Sequence, residues 1–122
     1  MKFTICHDIS RKTLTIPRAA LQLSGLAEAG ELSLWVERGC VVLTRPEPTA
    51  GELLESIRLL RDLTVSAITR LAAQSWAARS GPPRRRPRAL RAYDKRYLRM
   101  LERCGVDLDG LGVLLTQKGD SK

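Results

Sequence analysis

Apolar and polar positions alternate with period two in three short stretches, all within the first 45 residues, where a fourth stretch is apolar throughout, and apolar positions recur every three to four residues in two longer stretches beyond them. Lys2-Phe3-Thr4-Ile5-Cys6 alternates as a half-buried strand does, with Phe3 and Ile5 facing inward. After the polar turn His7-Asp8-Ile9-Ser10-Arg11-Lys12, the alternation resumes in Thr13-Leu14-Thr15-Ile16, placing Leu14 and Ile16 on one face. Pro17 ends that strand and suits the first position of a helix, where its missing N–H is not needed. Ala19, Ala20, Leu23 and Leu26 then predict a short helix over 18–24, with Gly25 as its stop. Leu32-Ser33-Leu34-Trp35-Val36 alternates with Leu32, Leu34 and Val36 inward, Glu37-Arg38-Gly39 turns tightly, and Cys40-Val41-Val42-Leu43 returns as the hairpin partner. Four short strands and a helix of about two turns do not enclose a stable core by themselves, so the pattern predicts obligate pairing of chains.

The period changes after Pro46-Glu47-Pro48. Thr49 and Glu52 have the spacing of a capping box. Leu53, Ile57, Leu60, Thr64, Ala67 and Leu71 then form an apolar stripe on a helix reaching Ala78. A seam of about three heptads suits either a two-stranded coiled coil or packing on the N-terminal domain. Leu53, Ile57, Leu60 and Leu71 are accordingly candidate dimer contacts. Ser80-Gly81-Pro82-Pro83 breaks the helix. A second helix is expected over 89–104, with Leu90, Tyr93, Tyr97, Leu101 and Cys104 on one side and Gly105 beyond its end. Residues 106–115 are apolar and interrupted by glycine, and 117–122 form a polar tail. The organisation is thus an N-terminal domain over 1–47, an amphipathic helix over 48–79, a basic Pro/Arg-rich linker over 80–88 and a C-terminal helix and tail over 89–122.

Charge sharpens this division. The net charge of +8 is concentrated: residues 1–78 hold nine Lys/Arg against eight Asp/Glu, while 79–103 hold ten against two. Arg84, Arg85, Arg86 and Arg88, interrupted by Pro87, read as an extended arm that follows a phosphate line or a narrow minor groove. Such clustering favours nucleic acid over an acidic small substrate, and an anionic membrane surface less strongly.

Catalytic chemistry has little material. His7 is the one histidine, and no phosphate-cradling glycine loop, metal-ligand spacing or nucleophile motif is present. Cys6, Cys40 and Cys104 are odd in number and far apart, so they read as small buried or half-buried thiols rather than a disulfide or metal framework. No enzyme, no metal and no cofactor is expected. No stretch approaches the roughly 20 apolar residues of a membrane span, which predicts a cytoplasmic protein without a membrane partner.

Leu14-Thr15-Ile16-Pro17, Ser24-Gly25-Leu26 and the ungapped run Leu32 to Leu43 together resemble the AbrB/MazE/SpoVT family of bacterial swapped-hairpin DNA-binding domains. The resemblance covers about a third of the chain, or 1–45 with the weaker first strand. It implies an α+β fold: an N-terminal swapped-hairpin β-barrel formed by two chains, followed here by C-terminal α-helices. It also implies that Leu14, Ile16, Leu34, Val36 and Val42 lie in the dimer interface, and that basic residues of the strand-to-helix region, here Arg11, Lys12 and Arg18, face duplex DNA. The chain departs from the family pattern in carrying Lys12-Thr13 where many relatives have glycine and arginine, and Leu21-Gln22 where helix positions are often basic. The function so implied is a homodimeric, nucleoid-associated transcriptional regulator. The alternatives are an antitoxin whose C-terminal segment covers a toxin, and an interaction scaffold that has lost its DNA surface.

Overall fold

The first helix runs between the two residues that mark its ends in the sequence. In a computed structural model, which describes residues 1–79 and 88–116, α1 spans Arg18–Ser24, with Pro17 at its N-cap. Gly25 closes it in the left-handed conformation at φ 75°, and the N–H of Leu26 returns to the Leu21 carbonyl at 3.1 Å. Strands β1 (Ser33–Glu37) and β2 (Cys40–Thr44) pair antiparallel around Gly39, whose φ of 85° is open to glycine at little cost. The register sets Leu34 opposite Leu43 and Val36 opposite Val41, so these four side chains share one face of the hairpin. Trp35 lies on the other face and donates its indole N–H to Thr44 Oγ1 at 3.3 Å.

The architecture is α+β, but the barrel expected from the resemblance is not closed. Among the described residues the sheet has two strands, order β1-β2, and the alternating segments 2–6 and 13–16 join no ladder. A strand is held first by hydrogen bonds to a neighbour, and among the described residues these segments have none. The inward faces expected for Leu34 and Val36 are likewise exposed.

Helix α2 (Ala50–Ala78) begins where the capping box places it. Glu52 N–H donates to Thr49 Oγ1 at 3.2 Å, and Thr49 N–H donates to Glu52 Oε1 at 3.0 Å. The single helix expected over 89–104 is instead two pieces: a 3-10 turn at Arg88–Ala92 and α3 (Lys95–Arg103). The cause is Asp94, which sits at the N-cap of α3 and accepts a hydrogen bond from Arg96 N–H at 3.2 Å. Helix α4 (Leu108–Leu115) starts the same way, with Asp107 accepting from Gly110 N–H at 2.9 Å.

The chain divides into two compact units, Met1–Leu53 and Leu54–Lys122. The second has a continuous apolar core of Leu90, Leu98, Leu101, Val106, Leu108 and Leu111, against which Ile68, Leu71, Ala72 and Leu115 pack. Gly110 allows α4 to meet α2 directly: a Cβ there would lie 1.6 Å from the Ser75 carbonyl oxygen. Ser75 is fully buried; its Oγ donates to the Ala72 carbonyl and accepts from Asp107 N–H, both at 2.9 Å. The first unit has no buried residue at all.

Candidate nucleic-acid interface

The polar turn before α1 is organised by Asp8. Its Oδ1 accepts from Ser10 Oγ at 2.6 Å and from Ser10 N–H at 3.0 Å, and the Arg11 N–H closes on the Asp8 carbonyl at 3.0 Å. The hydroxyl of Ser10, then its backbone N–H, hold the Asp8 carboxyl below its ordinary pKa. The Arg11 guanidinium lies 3.8 Å from Asp8 Oδ2, an exposed pair of little strength. Arg11, Lys12 and Arg18 are all exposed. Arg18 opens a helix of about two turns.

Several arginines are occupied by the fold itself. Arg45 Nε contacts Glu52 Oε2 at 2.7 Å and its Nη2 donates to the Gly25 carbonyl, tying the end of α1 and the end of β2 to the start of α2. Glu52 is held below its ordinary pKa first by the Thr49 backbone N–H and then by Arg45. Arg79 lies 3.6 Å from Asp107 and 5.5 Å from the centre of the Trp76 ring. Trp76 in turn donates to the Gly105 carbonyl at 2.8 Å.

Of the arginine arm, Arg84, Arg85 and Arg86 lie outside the described residues, and Arg88 is exposed at the start of the 3-10 turn. The helical period puts Lys95, Arg99 and Arg103 away from the apolar side of α3 without marking them as DNA contacts. Lys95, Arg96, Arg99 and Arg103 are exposed there, and among the described residues none forms an ion pair. The spacing of Lys95, Arg99 and Arg103 at every fourth residue was the signal available for finding them.

The proposed dimer residues fall into two groups. Leu14, Leu34, Val36, Leu53, Ile57 and Leu60 are exposed, and Ile16 and Val42 are half-buried. Leu71 packs instead against the core of the second unit, beside an apolar cleft of about 140 Å³. Tyr93 and Tyr97 line that cleft with their rings stacked, centroids 6.1 Å apart. The three cysteines, expected to be at least partly covered, are free and exposed. Among the described residues no group of three or more His, Cys, Asp or Glu side chains could hold a metal, and no helix is long and apolar enough to cross a membrane. Comparisons with protein-family models, curated proteins and solved structures find no match to this chain.

Proposed function

We propose that the chain is a homodimeric DNA-binding transcriptional regulator of the AbrB-like type, acting in the cytoplasm at the nucleoid. Two copies exchange their N-terminal segments, so that 2–6 and 13–16 of one protomer find ladder partners in the other and the barrel closes. The observation that carries this is the exposure of Leu14, Leu34 and Val36, at 54%, 57% and 64%, in segments whose alternation is that of half-buried strands. A monomeric soluble protein rarely leaves so many apolar side chains of one small unit uncovered. The bare stripe of Leu53, Ile57 and Leu60 on α2 is a further contact between the copies in this reading. Lys12 and Arg18 then face phosphate from the strand-to-helix region, and the arm from Arg84 to Arg88 adds sequence-independent affinity.

The decisive measurement pairs mass in solution with duplex binding across a salt series. A dimer whose affinity falls steeply with salt is expected, whereas a well-folded monomer, or no binding at low salt, overturns the proposal. A scaffold without a DNA surface is the second reading, favoured by the small number of cations, Arg11, Lys12 and Arg18, in the strand-to-helix region.

A further inference from the structure

Helix α3 begins at Lys95 and ends at Arg103, and those bounds place its charge. At roughly 100° per residue, Lys95, Arg96, Arg99 and Arg103 fall within about a 100° arc, on the side opposite the buried Leu101. The arc runs roughly 12 Å along the helix axis. Asp94, the acid nearest its start, is engaged as the N-cap, and Glu102 pairs with none of the four. Arg45, Arg61 and Arg79, by contrast, each have a carboxylate partner.

We infer that this face of α3 is a second DNA-docking surface, gripping the phosphate backbone of a duplex. The inference rests on the DNA-binding function proposed above and deepens it by naming a rigid contact in the second unit. Four exposed cations spread along one face of a helix match an extended polyanion better than a small anion. Duplex DNA offers one charge per roughly 1.7 Å of axis, and its major groove, about 12 Å wide, admits a helix. Lys95 and Arg99, and Arg99 and Arg103, stand one turn apart and repel each other on the free helix. A polyanion relieves that repulsion. Leu98 and Leu101 are buried beneath α3, so the cations are presented at fixed spacing from a packed element. The arc holds no Asn or Gln to pair with adenine, so its cations contribute chiefly affinity and orientation through phosphates, with sequence choice limited to arginine contacts with guanine.

The test uses the full chain and two unrelated duplexes of about 30 base pairs, followed by fluorescence anisotropy from about 50 to 300 mM salt. Converting Lys95, Arg96, Arg99 and Arg103 together to Gln is expected to reduce the log–log salt slope by about 3 to 4 for each protomer that docks, on both duplexes. The melting temperature should be unchanged or raised. Arg96→Lys, Arg99→Lys and Arg103→Lys in one chain should keep the slope, and Arg99→Gln alone should lower it by about 1 for each docked protomer, which decides the matter even if the fourfold variant misfolds. An unchanged slope in a folded α3 variant overturns this inference while leaving DNA binding intact. Absence of binding by the unaltered chain overturns the proposed function and this surface with it. Binding to phosphatidylserine vesicles but not to duplex reassigns the face to a membrane and overturns it too.

Discussion

The two units solve the problem of burial in opposite ways. Leu54–Lys122 closes a core of its own, with Leu90 1% and Val106 2% exposed, while leaving the start of its long helix bare, whereas Met1–Leu53 contains no buried residue although it carries apolar strand patterns. Helix α2 shows the contrast along one stripe: Ile57 and Leu60 are bare, while Leu71 and Ser75 lie under the chain's own C-terminal helices. The difference teaches that apolar pattern and apolar burial are separate facts. A pattern that one chain satisfies is a core, and one that it leaves unsatisfied is the surface on which the proposed dimer rests.

One tryptophan in each unit lets that contrast be broken experimentally. Trp35 is hydrogen-bonded within the hairpin and Trp76 to Gly105, so Trp35→Phe and Trp76→Phe each leave one local reporter. Trp35 fluorescence should change on dilution as the dimer dissociates, and Trp76 fluorescence should not. The largest effect is expected from Leu34→Asp, because a substitution in a twofold interface acts twice. Losing a buried leucine costs about 1.5 to 3 kcal/mol per copy, so dimer dissociation should strengthen by at least about 100-fold in sedimentation. The Trp76 transition should stay in place. An unchanged dimer would mean that the hairpin face is not the contact.

The converse experiment acts on the second unit. Gly110→Leu drives a side chain into the Ser75 backbone, which cannot retreat as a flexible side-chain end could. About 3 kcal/mol of stability should be lost from the transition that Trp76 reports in urea, with dimer mass and the Trp35 signal retained. Simultaneous loss of both signals would show the units to be one cooperative body.

The same contrast explains what could be foreseen from the sequence. Ends of elements were legible where a residue type has one local job: Gly25 closing α1, Gly39 in the hairpin, and Thr49 with Glu52 opening α2. The break at Asp94 was missed because an aspartate on the polar side of an apolar period looks like surface until its side chain is seen capping Arg96. Gly110 read as an interruption because close approach to Ser75 depends on a residue 35 positions away. The common face of Lys95, Arg99 and Arg103 was legible in their four-residue spacing, because a helix over 89–104 gives them the same angles as α3. Segments 2–6 and 13–16 were read as strands from a correct alternation, but pairing requires a neighbour that the single chain does not supply.

The smallest expected effect probes the start of α2 from the side of the first unit. The folded-state pKa of Glu52 is lowered from 4.5 by the Thr49 N–H and by Arg45, so the folded form binds its proton less readily than the unfolded chain. Its contribution is therefore fully present above about pH 4.5 and is lost as the pH falls through the depressed folded value. Glu52→Gln keeps an acceptor for Thr49 N–H but removes the titration. In urea unfolding followed at Trp35, the unaltered chain should exceed Glu52→Gln in stability near neutral pH, and the gap should narrow as the pH is taken below 4.5. The Trp76 transition should show no such narrowing, because Arg45, Glu52 and Gly25 all belong to the first unit. A gap that stays constant down to pH 3 would mean that the Arg45 link holds through hydrogen bonding alone, with no part played by the Glu52 charge.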